Sequence, residues 1–491
     1  MKPLSDLLDH EPDRQREMCR GGNDWLLDLS RLPISSAHFA DLTRRRSTIE
    51  LERAVRDLFA GNVVNHSEDR PALHMALRSL DGDVELPGAA VERASTARRR
   101  FLAVADSLHS GAAGVRDVLH IGIGGSDLGP RLIADALDSG DSAVRVHWIS
   151  TLDGRRFDRL TGRLNPMTTA MVVASKSFGT EETLTQARAF RDWLGPDWSK
   201  RSWAVTSQHR RAAEFGFSDQ AIMDLPAWVG GRFSLWSAVG LSAAAVIGPS
   251  RFVNLLAGAA RADAEFAGPG RQQGLAIMLA VAIDFLRCQA GLPALGVVSY
   301  EPRLGLLADH LQQLVTESLG KSVTVAGDPV ASQTSPLLFG GRGTDLQHSL
   351  FQALHQGTDT HPLLLIGTAR CDHGRPDWHR VQLAHLLGQA SVLARGRPDG
   401  PPHARLPGQR PAAVLLLDKL EPDRLGWLLA SLEHCVFALA HFWQINAFDQ
   451  WGVEEGKRVA GRFAASLDRG ETSPDPSAGP LLDFIRRFQH D

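Results

Sequence analysis

Short apolar runs, separated by longer mixed stretches, mark the first half of this chain. Four runs occur in this region: Val118–Ile121, Val146–Ile149, Ala170–Val173 and Trp203–Val205. Each run is followed by a turn of small residues and then by a stretch with helical spacing. Continuous apolar runs of this length between helices are typical of parallel strands that are buried on both faces.

A second set of apolar runs follows the long apolar stretch Leu275–Phe285, for which we predict a helix. These runs are Gly296–Val298, Val323–Val325, Leu363–Ile366 and Ala413–Leu417. Two tandem sets of alternating strands and helices predict the α/β fold class, with two doubly wound parallel sheets.

The proposed domain boundaries lie where these patterns begin and end. We expect the first α/β domain over residues 101–250 and the second over residues 270–460. Residues 1–100 are charged and lack strand-like runs, so they predict a helical N-terminal arm. Residues 461–491 hold a polar stretch rich in Ser, Pro and Gly before a short apolar run, which predicts a C-terminal tail and helix.

Composition narrows the class of protein. The chain has 491 residues, of which 43% are hydrophobic and 22% are charged, as expected for several globular domains. A net charge of -3 and a pI near 6.7 argue against a nucleic-acid partner, which would favour a basic surface. The start at Met1–Pro3 leads into no apolar signal, and no run of 18 apolar residues occurs, so we predict a cytoplasmic protein without a membrane partner.

The cysteines do not indicate a metal or redox centre. The four cysteines are far apart and none has CxxC spacing. Cys371-Asp372-His373 has ligand chemistry, but no second ligand pair with metal spacing lies nearby, so we interpret it as a polar loop.

A glycine-rich turn, Gly122–Pro130 (GIGGSDLGP), follows the first predicted strand. Glycines between a strand and a helix let backbone amides approach an anion closely. A dinucleotide fingerprint would need a third glycine at position 127, which is Asp here. Asp153 follows the next predicted strand, so a nicotinamide enzyme stays open, as does a tight turn without a ligand.

The segment Ser175–Thr183 (SKSFGTEET) also lies between a predicted strand and a helix. Hydroxyls, one ammonium group and exposed amides at a helix N-terminus can hold a phosphate group. No GxxxxGK[ST] motif precedes it, so we do not expect a nucleoside triphosphate. The alternative is a helix cap made by Thr180 with a solvated Lys176.

Two further segments carry candidate catalytic groups. Gln313 and Glu317 are four residues apart and share one face of a predicted helix, where the carboxylate could act as a general base or be an ordinary surface residue. Thr344 and Gln347 have capping-box spacing, which predicts that His348 lies in the first turn of a helix.

Two more cations stand near predicted helix starts. Arg232 follows two glycines in Gly230–Ser237, and Lys457 closes the segment Phe448–Lys457. Taken alone, Lys457 could be a solvated helix residue.

Together these segments resemble the glucose-6-phosphate isomerase family from about residue 118 to residue 460. GIGGSDLGP, GGRFSLWSAVGLS, ESLGK, QHSLFQALHQGT and FDQWGVEEGK occur in the family's order, and Gly408–Pro411 resembles another family segment. The chain departs from the family pattern at Gly179, at Leu319 and over residues 359–370.

The resemblance implies two sugar-isomerase domains, no metal, no organic cofactor and reversible conversion of glucose 6-phosphate to fructose 6-phosphate. It implies that Glu317 transfers the proton, that Arg232 lies beside the enediolate, and that His348 and Lys457 open the sugar ring. The implied substrate-binding residues are Gly125, Ser126, Ser175, Lys176, Ser177, Phe178, Gly179, Thr180 and Gln313. The family's histidine comes from the neighbouring subunit, which implies a homodimer with shared active sites.

Two other functions remain as alternatives. An isomerase that also accepts mannose 6-phosphate would use the same residues. A regulator that binds sugar phosphates without catalysis would keep the Ser175–Thr183 segment but could lack the base. The joint presence of Glu317, His348 and Lys457 disfavours it.

Overall fold

The computed structural model describes residues 3–80, 82, 84–469 and 475–488. The chain separates into two compact units, Met1–Ala447 and Phe448–Asp491. The first unit contains both sheets and all of the strands described below.

The strands in chain order are β1 Cys19–Gly21, β2 Trp25–Arg31, β3 Asp117–Ile121, β4 Arg145–Ile149, β5 Thr169–Ala174, β6 Ser202–Thr206, β7 Ile222–Asp224, β8 Ala294–Ser299, β9 Leu337–Arg342, β10 Leu363–Thr368 and β11 Ala412–Leu417. The first sheet has the order β4-β3-β5-β6-β7 and is parallel throughout. The second has the order β1-β2-β11-β10-β8-β9. Its last four strands are parallel, whereas β1 and β2 are antiparallel additions at one edge. The predicted α/β class is confirmed, with a parallel core in each sheet and an antiparallel edge on the second.

The helices of the first unit are α1 Leu4–His10, α2 Arg14–Met18, α3 Ser36–Arg46, α4 Ile49–Ala60, α5 Gly88–His109, α6 Leu128–Leu137, α7 Gly154–Thr161, α8 Glu181–Leu194, α9 His209–Phe215, α10 Leu241–Ile247, α11 Pro249–Ala267, α12 Leu275–Asp284, α13 Leu307–Leu319, α14 Gly343–Gln347, α15 Phe351–Gln356, α16 Pro376–Arg395 and α17 Pro422–Phe442. A π-helical turn, Phe285–Gln289, continues α12. The predicted helix over Leu275–Phe285 is therefore confirmed.

The second unit holds α18 Glu454–Arg469 and α19 Gly479–Phe488. Arg486 of α19 donates a hydrogen bond from Nη2 to the backbone oxygen of Ser466 in α18 at 2.9 Å. Residues 470–474 and 489–491 of the predicted C-terminal tail lie outside the described residues.

The N-terminal arm is not entirely helical, so that part of the prediction was wrong. β2 pairs with β11 through Leu27 and Leu415, and β1 pairs with β2. The side chain of Leu27 is fully buried, as is that of Leu29. The alternating burial of this strand differs from the continuous apolar runs that marked the parallel strands.

The predicted strand over Val323–Val325 was also wrong. Those residues lie in a turn with a single bridge to Pro329, and the side chains of Val323 and Val325 are about half exposed. The strand beside β8 is β9, whose glycines weaken its strand pattern. A Cβ on Gly340 would lie 1.9 Å from the backbone oxygen of Val297, so the close approach of β9 to β8 requires glycine there.

The core between the sheets is built around long apolar helices. By length and composition one described helix, α17, could cross a membrane, but 89% of its most apolar window is buried inside the structure. It packs against α11, where a Cβ on Gly258 would meet the backbone of Asp423 at 1.8 Å and a Cβ on Gly426 would meet Leu255 at 1.9 Å. These glycines let the two helices pack backbone to backbone in the core.

A cluster of buried charges links the N-terminal region to this helix pair. Arg78 is 0% exposed and its guanidinium contacts two carboxylates, Asp263 of α11 at 2.6 Å and Glu433 of α17. His434 donates from Nε2 to Asp263 at 2.7 Å, and Trp236 donates to Glu433 at 2.9 Å. Burial raises the pKa of Glu433 to about 7, whereas the pKa of Asp263, which burial alone would raise, is lowered overall by Arg78 and His434.

Candidate active site

The first sheet brings the two phosphate-type motifs together. β3 pairs with β5 in parallel, with Ile121 opposite Val173, so the segments that leave the two strands are neighbours at the carboxyl edge. β3 also pairs with β4 on its other side, which makes the gap between β3 and β5 a point where the strand order reverses. Ligands of open α/β sheets bind at such points.

The loop Ser175–Thr180, which we call the phosphate loop, has a defined shape. Phe178 adopts a φ of 42° and its ring is buried against Phe215 and Phe217, with centroid distances of 5.9 and 6.2 Å. The hydroxyls of Ser175 and Thr180 lie 3.4 Å apart across the loop. Thr180 is the N-cap residue of α8, but its side chain makes no capping hydrogen bond. The capping alternative therefore does not account for its hydroxyl.

Lys176 is anchored rather than solvated. Its Nζ donates to the backbone oxygens of Ala227 at 3.0 Å and Val229 at 2.6 Å. Burial lowers its pKa to about 8, and the nearby positive charges of Arg70 and Arg232 contribute to this shift. The ammonium thus fixes the phosphate loop to the segment that leads to Arg232.

Glu317 lies near the end of α13 with a partner on each carboxylate oxygen. Arg232 donates from Nη1 to Oε1 at 3.2 Å, and Gln313 donates from Nε2 to Oε2 at 2.8 Å. The side chain of Glu317 is 21% exposed, whereas that of Arg232 is 1% exposed. A carboxylate held by two donors, with one side open to solvent, can accept a proton from a bound molecule.

Arg232 is fixed from several directions. Its Nε donates to the hydroxyl of Ser318 at 2.6 Å, and its Nη2 donates to the backbone oxygen of Ala447. The glycine-rich turn packs directly on the same segment, since a Cβ on Gly125 would lie 2.1 Å from the backbone oxygen of Gly231. Glycine at position 125 is therefore a packing requirement.

One short segment joins the phosphate loop to the carboxylate. The backbone oxygen of Val229 accepts a hydrogen bond from Lys176, and Arg232 donates one to Glu317. Val229 and Arg232 are three residues apart. Their Cα atoms can be separated by no more than about 11 Å. The anchor of the loop and the partner of the carboxylate therefore lie close together on one segment.

Gln313 and the turn at Ser126 complete the cluster. Gly124, with a φ of 58°, lies so close to Gln313 that a Cβ there would be 2.8 Å from Nε2. The backbone oxygen of Ser126 accepts a hydrogen bond from Nε2 of His120 at 2.7 Å.

His120 is a supporting residue that sequence reasoning missed. It is fully buried, its Nδ1 lies 2.8 Å from the hydroxyl of Ser242, and burial lowers its pKa to about 4. A neutral ring can donate to Ser126 while accepting from Ser242. The available signal was a histidine inside an otherwise apolar strand, directly before the glycine-rich turn.

The contacts of the described residues in the first unit do not bring His348 to this cluster. His348 follows the last residue of α14, and that helix begins at Gly343, so the predicted capping box at Thr344 was wrong. The side chain of His348 is exposed. Lys457 lies in the second unit, where its Nζ pairs with Glu454 at 2.9 Å.

The other sequence candidates have local roles. Asp153 caps α7 by accepting from the backbone N–H of Arg156 at 3.0 Å. Cys371 donates from Sγ to the backbone oxygen of His373 at 3.0 Å within an exposed loop. Leu319, one of the departures from the family pattern, is fully buried in the core.

Comparison with known proteins identifies relatives that match over almost the whole chain. The family model described as phosphoglucose isomerase matches residues 28–482. A glucose-6-phosphate isomerase of Stenotrophomonas maltophilia (strain R551-3) is 41% identical over 466 residues, which cover 94% of this chain and 92% of the relative. A glucose-6-phosphate isomerase of Xanthomonas axonopodis pv. citri (strain 306) is 40% identical over 484 residues, which cover 98% of this chain and 95% of the relative.

A solved structure agrees with this relationship. The crystal structure of a glucose-6-phosphate isomerase from Chlamydia trachomatis matches with a TM-score of 0.87 and 28% identity, covering 99% of this chain and 96% of that one. Because the family model covers most of the chain and the sequence relatives are about 40% identical, this chain belongs to the phosphoglucose isomerase family.

Proposed function

We propose that this chain interconverts glucose 6-phosphate and fructose 6-phosphate, with Glu317 as the group that moves the proton. The observation that carries this proposal is the position of the Glu317 carboxylate between Arg232 and Gln313, one short segment away from the phosphate loop. Family membership supports the reaction, and this geometry supports the choice of Glu317 as the base.

The proton transfer needs one base. Glu317 removes the proton from C2 of the open-chain aldose, and the C1 oxygen takes up a proton as the cis-enediol forms. The carboxylic acid then returns its proton to C1, while the C2 hydroxyl loses its proton and becomes the ketone. The hydrogen count is unchanged, so a single carboxylate is sufficient. The fixed guanidinium of Arg232 is placed to stabilise negative charge on the enediolate oxygens.

The phosphate loop supplies binding energy away from the reacting carbons. We infer that Ser175, Ser177 and Thr180 donate hydroxyl hydrogen bonds to the phosphate, with Lys176 and the N-terminus of α8 adding positive charge. Gly125, Ser126 and Gln313 then contact the sugar. Holding the phosphate fixes where C1 and C2 lie relative to Glu317.

Ring opening requires groups that Glu317 does not provide. We assign it to His348 and Lys457, with His348 acting on a substrate held by the other subunit of a homodimer. His348 is exposed and its side chain makes no hydrogen bond among the described residues, which leaves it accessible to a second chain. The proposed substrate is a small cytoplasmic sugar phosphate, and the proposal includes no nucleic-acid or membrane partner.

A coupled assay of the purified protein tests the proposed function. We expect rapid conversion of glucose 6-phosphate and fructose 6-phosphate in both directions. Mannose 6-phosphate, assayed in parallel, decides whether the enzyme is a dual isomerase. Binding of all three without turnover would support the regulator instead and contradict the proposal.

The phosphate loop gives a second test. Replacing Ser177 and Thr180 together by Ala should raise KM for fructose 6-phosphate by about tenfold to a hundredfold, because two hydrogen bonds to a charged group are removed. Thr185→Ala, which removes an exposed hydroxyl from the same helix outside the loop, is the matched control. Equal KM values for the double variant and the control would place the phosphate elsewhere.

The shared active site predicts complementation between inactive proteins. If Glu317 and His348 of one working site come from different chains, a mixed dimer of Glu317→Gln and His348→Ala has both defects in one site and none in the other. Refolding an equal mixture should then restore about one quarter of wild-type activity, because half of the dimers are mixed and each has one intact site.

The control for this experiment is to refold each variant alone, which should restore no activity. Mixed dimers are confirmed by native mass spectrometry with one variant isotopically labelled. Confirmed mixed dimers without recovered activity would contradict the shared site while leaving the isomerase assignment in place.

A further inference from the structure

Arg211 is a cation beside the phosphate loop that the mechanism above does not use. It belongs to α9, and its Nη1 donates to the backbone oxygen of Ser177 at 2.9 Å. The same nitrogen fills the space next to Gly179, since a Cβ built on Gly179 would lie 2.9 Å from it. Any larger residue at position 179 would have to displace the guanidinium.

The helix that carries Arg211 is itself fixed to the loop. Phe215, the last residue of α9, packs edge-on against Phe178 of the loop, with ring centroids 5.9 Å apart. Phe217, just beyond the helix, makes a second edge-on contact with Phe178 at 6.2 Å. The guanidinium therefore reaches the loop from a helix that packs on the same loop through Phe178.

Lys176 and Arg211, two cations of the phosphate loop region, differ in how many hydrogen bonds they already make within the protein. The ammonium of Lys176 is bonded to two backbone oxygens, and burial lowers its pKa to about 8. The guanidinium of Arg211 makes one hydrogen bond among the described residues, to Ser177, and forms no ion pair there. A guanidinium stays protonated at all working pH values and presents its other N–H groups in a fixed plane.

We propose that Arg211 is a specificity residue for the dianionic phosphate of the substrate, made possible by the absence of a side chain at Gly179. One Nη group holds the loop through Ser177, and the remaining N–H groups face the phosphate as charge-assisted donors. This inference rests on the proposed function, because it takes the loop as the place where the substrate's phosphate binds.

Steady-state kinetics of Arg211→Ala test the inference. Loss of a charge-assisted hydrogen bond should raise KM for fructose 6-phosphate about tenfold and leave kcat within about twofold. The inhibition constant of inorganic phosphate should rise by the same factor, because phosphate contains only the recognised group. Arg210→Ala is the matched control: it removes the same charge from the next residue, whose guanidinium is paired with Glu214 at 2.8 Å, and both constants should stay near wild type.

A double-mutant cycle with Gly179 separates loss of phosphate recognition by Arg211 from an unrelated disruption of the loop. Gly179→Ala should push the guanidinium aside and raise both constants by a factor similar to that of Arg211→Ala. The combined variant should be no worse than either single variant, because both act through the same group. Independent multiplication of the two effects would overturn the proposed link between the residues.

The outcomes distinguish this inference from the proposed function. If the inhibition constant of inorganic phosphate is the same for Arg211→Ala and Arg210→Ala, the proposed role of Arg211 is overturned. This holds whether or not the protein isomerises sugar phosphates. A wild-type protein that binds phosphate but does not isomerise sugar phosphates would contradict the proposed function. Thermal-shift titration with phosphate still measures the Arg211 effect in that case.

Discussion

Replacing Glu317 by Gln should leave a folded protein with normal substrate affinity and almost no turnover. We expect kcat to fall by about 10²–10⁴-fold, the usual contribution of a positioned general base. The substitution keeps the shape of the side chain and its acceptor for Arg232, and Gln313 can rotate its amide to suit the new amide group. KM should therefore change little, so the loss lies in the chemical step.

A matched control uses the same helix. Asp309→Asn makes the same charge change on the exposed face of α13 and should leave kcat unchanged. A second readout is the incorporation of deuterium at C1 of fructose 6-phosphate during the reaction in D₂O, which reports the exchange of the transferred proton. If Glu317→Gln turns over at a rate near that of wild type, another group is the base.

Removing Arg78 should produce the largest loss of stability among single substitutions in the first unit's charged core. Arg78→Met leaves Asp263 and Glu433 buried without their cation, and breaking a buried pair in this way costs about 3–5 kcal/mol of the free energy of unfolding. Arg93→Met is the control, because Arg93 pairs with Asp224 at 2.6 Å on the surface with its side chain 52% exposed. That loss should be less than about 1 kcal/mol.

The pH dependence of this effect has a definite sign. Without Arg78, no guanidinium opposes the burial that raises the pKa of Glu433, and His434 alone opposes the same effect of burial on Asp263. The variant's stability is then greatest at low pH and falls as the pH rises through the folded-state pKa values. Urea unfolding at pH 5 and pH 8 should show a wider gap between Arg78→Met and wild type at pH 8.

A second variant shows whether the uncompensated carboxylates are the cause. Adding Glu433→Gln to Arg78→Met should recover part of the loss, because one of the two buried charges is gone. Equal losses for Arg78→Met and Arg93→Met would contradict the account of the cluster.

The sequence predicted the features that depend on continuous burial and on fixed local spacing. β3, β5, β8, β10 and β11 were found because a parallel strand covered on both faces is apolar at nearly every position. Gln313 and Glu317 were placed on one helical face for a similar reason, since their separation fixes their relation once a helix forms.

Features that depend on contacts between distant segments could not be predicted. β2 is a strand because β11 pairs with it, and nothing close to Trp25–Arg31 in the sequence indicates that partner. The sequence indicated a phosphate-site lysine or a solvated lysine at position 176, but not its anchoring by the backbone oxygens of Ala227 and Val229. The space beside Gly179 is visible only once α9 has packed against the loop.

The pairing of β2 with β11 has a consequence for how the protein is made. β2 leaves the ribosome long before β11, because most of the described chain lies between the two strands. At about 5–20 residues per second, the nascent strand waits for tens of seconds without β11, with only β1 available to pair with its other edge. During that time its unpaired backbone and the leucines that it later buries are open to other nascent chains. The edge of β2 that pairs with β11 thus needs protection from other chains until β11 has been made and the second sheet can be completed.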